Sequence, residues 1–389
     1  GAWLAWDRDD NTIYVYDAFG RMVTVKARVG GAIVAEYRYN GLNFRISTRS
    51  DLTRSGGGAP DGVVDANDPT YYLTYDERWR QVATFRGSDS DPKERFVWHN
   101  AGLAGRGSSS YIDAVVLRDR DLNSGWTSAA DGTLEERFYY CQNWRADVSV
   151  IMSSAGKVKE WVKYSAYGVP ASITPADFDG DGFVTGDDDT AFNAAYGAGT
   201  WNARTDLDLD GSIGAGDASI WATEFGAGEA GGRGVLSRAS VANKIGYAGY
   251  QFAPELAGSK WHVRYRVLDS DTGRWSRRDP LGYVDGANLY EYSGDRPIDL
   301  RDPFGLKAVA SCNQAAYADR VLCCQDECDK VFAFLPLGLE CCYKQCGDDK
   351  SPSTAIASCI LSTSGPVRRP KTIWDGFKQW WDDVRRIIV

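Results

Sequence analysis

Apolar and polar residues alternate in short runs along the first 170 or so positions, and aromatic side chains carry the apolar beat. Examples are Ile13-Tyr14-Val15-Tyr16-Asp17-Ala18-Phe19-Gly20-Arg21 and Glu36-Tyr37-Arg38-Tyr39-Asn40-Gly41-Leu42-Asn43. Two more are Leu73-Thr74-Tyr75-Asp76-Glu77-Arg78-Trp79-Arg80 and Arg95-Phe96-Val97-Trp98-His99-Asn100-Ala101-Gly102-Leu103. A period of two marks half-buried strands. Runs end in Tyr-Asp or a similar pair, where Asp, Asn and Gly accept the left-handed backbone of hairpin turns. Later copies centre on Tyr140 and on 164–168. Tyr16 to Tyr39 is 23 residues, Tyr75 to Trp98 is 23, and Tyr140 to Tyr164 is 24. The gap of 36 from Tyr39 to Tyr75 carries an inserted loop at 55–69. Such a period suits one hairpin per repeat. A lone hairpin cannot bury its apolar face, so neighbours must stack into one sheet. The competing reading is an ordinary β-sandwich.

Composition agrees with many short strands: 42 of 389 residues are Gly and 13% are aromatic. A net charge of −9 implies no nucleic-acid surface at whole-chain level. Two histidines, His99 and His262, exclude a His-rich metal centre and most His-based triads. The apolar run at 331–339 is far short of the ~20 residues of a spanning helix. The Gly-Ala-Trp start, without Met or a signal pattern, points to a processed product or to the C-terminal part of a longer chain.

The segments resemble the Tyr-Asp repeats of the Rhs/YD-repeat family. A later stretch resembles the Rhs repeat-associated core: Gly246-Tyr247-Ala248-Gly249-Tyr250, Trp261-His262-Val263-Arg264-Tyr265-Arg266, Thr272-Gly273-Arg274-Trp275, Arg278-Asp279-Pro280-Leu281-Gly282-Tyr283, Gly286-Ala287-Asn288-Leu289-Tyr290-Glu291-Tyr292 and Asp302-Pro303-Phe304-Gly305-Leu306. The resemblance covers about 1–170 and 233–306. It implies a mainly β fold: a hairpin spiral or shell plugged at its C-terminal end by the core. The repeats are too few for a full shell, so upstream sequence or other copies of the chain would complete the wall.

Residues 177–188 carry carboxylates at loop positions 1, 3, 5 and 12 (Asp177, Asp179, Asp181, Asp188) and Gly182 at position 6. That is the oxygen-ligand spacing of an EF-hand-type calcium loop. Phe183 would offer its carbonyl and Thr185 a direct or water-mediated contact. The pattern returns 29 residues later with Asp206, Asp208, Asp210, Ser212 and Asp217, and Gly211 at position 6. Helix-compatible stretches come after the loops, at 190–196 and 218–225. The pair is similar to dockerin-type repeats, which implies calcium as cofactor and allows a cohesin-like partner. Calcium that merely folds the insert is the simpler reading. Solvated acidic turns are the bland one.

Asp279 and Asp302 open two similar motifs 23 residues apart. Two carboxylates held together cannot both ionise cheaply, which yields one acid and one base. The family resemblance implies an aspartyl self-protease that cuts after Leu306. Tyr283 departs from the Leu frequent at that place, and capping of turns before Pro is the alternative role of both aspartates. Arg278 and Arg301 are candidates to hold them charged.

Eight cysteines lie between 312 and 359: Cys312, Cys323, Cys324, Cys328, Cys341, Cys342, Cys346 and Cys359. Such density reads as a disulfide framework in an oxidising compartment, on a helical hairpin, with connectivity open. The last stretch, 373–389, has the apolar spacing of an amphipathic helix that docks on its own protein; membrane contact is the alternative.

The expected organisation is a repeat sheet at 1–172, a small α-helical dockerin-like calcium insert at 173–232, the core at 233–306, and a variable, disulfide-rich α-helical C-terminal domain at 307–389. The expected role is a secreted or cell-surface shell that encloses or displays that domain, as in a polymorphic toxin. The alternative is a calcium-stiffened structural or adhesive protein, capable of forming fibres.

Overall fold

The computed structural model describes residues 3–5, 12–52, 61–99, 113–143, 145–178, 183–198, 205–208, 210–227, 232–283 and 286–310. They belong to one compact unit, Gly1–Ser311; the second, Cys312–Val389, lies outside them, and with it the eight clustered cysteines and the terminal amphipathic stretch.

The alternating runs fold as strands β1 (Trp3–Ala5), β2 (Thr12–Tyr16), β3 (Met22–Ala27), β4 (Ile33–Tyr39), β5 (Arg45–Ser50), β6 (Tyr71–Tyr75) and β7 (Gln81–Arg86). They continue as β8 (Glu94–Trp98), β9 (Val115–Arg120), β10 (Glu136–Gln142), β11 (Val148–Ser153), β12 (Val158–Tyr164), β13 (Pro170–Ile173) and β14 (Gly232–Arg233). All fourteen pair antiparallel in sequence order, as one meander. This excludes the two-layer sandwich for the described strands.

The turns explain the Tyr-Asp signature. Asp17 N–H donates to the Arg21 carbonyl at 2.9 Å, and the same bond closes Asn40–Phe44, Asp76–Arg80, Asn143–Asp147, Ser153–Lys157 and Ser165–Val169. The fourth residue of each turn takes a positive φ: Gly20, Asn43, Trp79, Ala146, Gly156 and Gly168. This is a three-residue hairpin loop with a bulge. Asp17 Oδ1 accepts from the Phe19 and Arg21 amides, and Asp76 Oδ1 from Arg78 and Arg80. Asn40 and Asn143 do the same. Arg21 and Arg80 pair with these aspartates and also reach the carbonyls of Asn40 and His99, tying each turn to a later repeat.

One sheet face is apolar and buried: Tyr14, Val25, Tyr37, Leu73, Phe96, Phe138, Ile151 and Val162 all point to it. It is covered by the segment after β14, which carries β15 (Gln251–Phe252), β16 (Lys260–Val263), β17 (Arg266–Asp269), β18 (Arg274–Trp275), β19 (Leu300–Arg301) and β20 (Val309–Ala310). Distant strands meet this one plug, so the wall curves round it. Tyr14, Val25 and Tyr37 pack on Ala253 and Leu256; Phe96, Phe138 and Ile151 pack on Val241 and Ile245. Val162 packs on Leu236, Tyr247 and Trp261. Turns on the rim also bind the plug. Trp261 Nε1 donates to the Gly168 carbonyl at 3.0 Å, and Tyr247 Oη to that of Ala166 at 2.7 Å. A Cβ on Gly168 would lie 2.6 Å from the Tyr247 ring, so a side chain there is refused both by space and by its φ of 92°.

Charges are buried with the plug. Glu160 on β12 is fully enclosed, accepting from Ser237 Oγ at 2.7 Å and from the Arg238 amide at 3.2 Å. Burial outweighs those bonds and pushes its carboxyl up to about 7 from 4.5. The folded chain therefore keeps a proton that the unfolded chain has lost, and this site's contribution to stability falls as pH rises from about 4.5 to 7. Thermal melts across that window are expected to show the decline in the wild type and a flatter profile in Glu160→Gln. Equal slopes would remove the assignment.

Candidate functional site

The plug brings Asp279 and Asp302 onto one guanidinium. Arg266, the first residue of β17, reaches Asp279 Oδ2 at 2.8 Å and Asp302 Oδ2 at 3.2 Å through the same Nη2. Its side chain is 2% exposed and lies 4.3 Å from the centroid of the Trp275 ring. The other oxygens cap backbone: Asp279 Oδ1 accepts from Leu281 N–H at 2.7 Å, and Asp302 Oδ1 from Leu306 N–H at 2.9 Å. Both aspartates thus cap turns and share one cation. Arg278 is exposed and Arg301 buried; the shared cation is Arg266, thirteen residues before Asp279, where nothing in the alternation of the strand marks it.

The second motif is clamped from several sides. Arg266 Nε donates to the Gly305 carbonyl, Arg264 Nη1 to that of Pro303, and Tyr265 N–H to that of Phe304 at 3.0 Å. Tyr250 Oη accepts from the Asp302 amide at 3.0 Å and donates to the Asp302 carbonyl at 2.8 Å. Gly305 is forced by its positive φ of 69°, and a Cβ there would meet the Val263 carbonyl at 3.0 Å. β19 and β20 pair through Arg301–Val309, so the Leu306–Lys307 bond sits in the loop of a hairpin. Lys307 is exposed, and a cavity of about 170 Å³ is lined by Asp279, Asp302 and Ala308 among others.

The loops with calcium spacing lie in the hairpin between β13 and β14. Two helices succeed them, α1 (Gly186–Ala198) and α2 (Ala215–Ala227), packed through Phe178, Phe192 and Trp221. Oxygens of Asp206, Asp208 and Asp210 converge within 4.8 Å. Asp206 also accepts from the amides of Asp210 and Gly211. The position-12 carboxylates behave alike in both loops. Asp188 accepts from the amides of Phe178 (2.6 Å) and Thr185 (2.8 Å), and Asp217 from those of Leu207 (2.6 Å) and Gly214 (2.7 Å). Asp177 is fully buried, Phe183 and Thr185 are exposed, and Ser212 donates to Asp210 at 2.7 Å. Asp179 and Asp181 lie outside the described residues. Converging carboxylates with a left-handed Gly211 are a donor set that suits a hard cation.

No protein-family model matches the chain. Over 78 residues, 20% of its length, it is 37% identical to the double-stranded DNA deaminase toxin A of Burkholderia cenocepacia (strain H111), of which it spans 5%. Part of this chain is therefore similar to part of a bacterial toxin. Among solved structures it is similar to a TcdB2-TccC3 complex, with a TM-score of 0.43, 18% identity, and 76% of this chain and 10% of that one covered. A Photorhabdus luminescens Tc holotoxin pore carrying a TccC3 mutation gives 0.42, 18%, 76% and 10%. No helix among the described residues is long and apolar enough to cross a membrane.

Removing one partner of a buried charge cluster leaves the others uncompensated. Arg266→Met is expected to lower unfolding free energy by about 3–5 kcal/mol, read from the urea midpoint. A loss under about 1 kcal/mol, the size of a surface pair, would show the cluster to be weak.

Proposed function

We propose that this chain is the closing portion of a secreted Rhs-type shell that carries residues 307–389 as its cargo, a toxin freed by self-cleavage after Leu306. The observation that carries this reading is the shared guanidinium of Asp279 and Asp302, with the Leu306 amide on Asp302. One carboxylate takes a proton from water, whose oxygen adds to the Leu306 carbonyl carbon. The other, protonated, donates to the Lys307 nitrogen as the C–N bond breaks. The products are a Leu306 carboxylate and a Lys307 amine. Arg266 positions both acids and, through the Gly305 carbonyl, the segment to be cut. Upstream shell strands or further copies of the chain would complete the wall.

Mass spectrometry of the purified chain tests the step. A fragment beginning at Lys307 is expected, and Asp279→Asn or Asp302→Asn should leave the chain whole; cutting unchanged by either substitution sinks the assignment. Expression of 307–389 in bacterial cytoplasm or periplasm should slow growth.

The alternative, a calcium-stiffened adhesive or fibrous surface protein, draws support from the anchored insert. Glu224 of α2 pairs with Arg238 of the plug and accepts from Thr174 Oγ1 at 3.1 Å. Normal growth in both compartments favours it. In either reading calcium would be held by Asp177, Asp179, Asp181, Thr185, Asp188 and the Phe183 carbonyl, and by Asp206, Asp208, Asp210, Ser212 and Asp217. Bound calcium neutralises these carboxylates and orders the insert. A cohesin-like partner would be its further ligand. Titration with calcium is expected to give saturable heat for two sites and a raised melting temperature that chelator reverses; an absence of binding removes the metal from the account.

A further inference from the structure

The cavity of about 170 Å³ that has Asp279 and Asp302 in its lining also takes in Ser293. Ser293 is 3% exposed, and its buried Oγ has no hydrogen-bond partner among the described residues. The buried hydroxyls of Ser172 and Ser276 are in the same state, but neither residue lines this cavity. The backbone rather than a bond of its own holds the Ser293 side chain in place. Its φ is 53°, in the left-handed region, and its carbonyl accepts from the Arg296 amide at 3.0 Å. That conformation is costly for a residue other than glycine. The preceding Tyr292 anchors it, fully buried and packed edge-on against Trp275 with ring centroids 5.3 Å apart. The titratable groups in the lining are Asp279, Asp302, Glu291 and Arg266. Asp279 receives bonds from Leu281 N–H and Arg266, of the roughly four that a carboxylate can take.

We propose that Ser293 positions the water that attacks the Leu306 carbonyl carbon, a role that rests on the self-cleavage reading above. A buried hydroxyl left without a partner is costly, so a partner is called for. A polar cavity holds a water once it offers roughly 10–15 Å³ and two to four polar contacts, and this one offers more of both. The water donates one hydrogen to the carboxylate that acts as base and the other to Ser293 Oγ. Its lone pair is then free for the carbonyl carbon, and no atom of Ser293 is transferred. The serine hydroxyl does not titrate with the carboxylates. It sets where the water sits and leaves the proton transfers to Asp279 and Asp302.

The test uses the full chain made by cell-free synthesis and times the release of the fragment beginning at Lys307 once synthesis is stopped. Ser293→Ala and Ser293→Gly should each cut at least about tenfold more slowly than the wild type. The pH profile of cutting should lose height and keep its midpoints, because the groups that titrate are untouched. Melting is compared in chains kept whole by Asp302→Asn. There Ser293→Gly should melt no lower than its parent, since glycine takes the left-handed backbone without strain. Cutting of either variant at the wild-type rate overturns the proposal and leaves the self-cleavage reading standing. So does a slowing that comes with shifted midpoints or a lowered melting temperature, which would make Ser293 a support of the carboxylates or of the fold. A wild type that stays whole removes both the reading and the proposal.

Discussion

A sheet built from consecutive hairpins has one apolar face that water will not tolerate, and here a single plug covers it. Burial at roughly 25 cal/mol per Å² makes this the dominant favourable contribution. The wall must curve because strands as distant as β2 and β12 meet the same plug, through Leu256 and Trp261 respectively. Hydrogen bonds from the rim turns then fix the plug's orientation. Without the plug the inner tyrosines, Tyr14, Tyr37 and Tyr140 among them, would face solvent. Wall and plug therefore form one cooperative body.

The turn chemistry makes that geometry repeatable. An Asp or Asn after the strand's last aromatic residue accepts two amides, and the fourth turn residue adopts a left-handed conformation. Glycine is one solution; Trp79 is another, since its ring packs edge-on against Tyr265 of the plug at 4.9 Å. Local strain at that position is offset by tertiary contact. Arg21 and Arg80 extend the pattern by bonding a carbonyl one repeat onward, so successive turns are held in register.

The same plug that covers the wall also builds the candidate chemistry. Asp302 is held by Tyr250, by Arg266 and by the Leu306 amide, so the loop that carries Leu306–Lys307 is tied to this carboxylate. The insert is rooted differently, through the β13–β14 ladder and the Glu224–Arg238 pair. Its aromatic core of Phe178, Phe192 and Trp221 is its own, which is why a hairpin loop can carry it without disturbing the sheet.

Local rules made much of this legible. Alternation with a period of two placed the strands, Tyr-Asp placed the turns, and carboxylate spacing placed both acidic loops and their helices, because each depends on residues within about a dozen positions. The pairing of Asp279 with Asp302 was readable as a repeated motif. Its cation was not: Arg266 looks like any polar residue in an alternating strand, and its two bonds exist only once β17 lies beneath both loops. Which face a side chain takes follows from sequence, because strand geometry is local; which charges end up buried together is decided by the curvature of the wall round its plug, and that is a property of the whole fold.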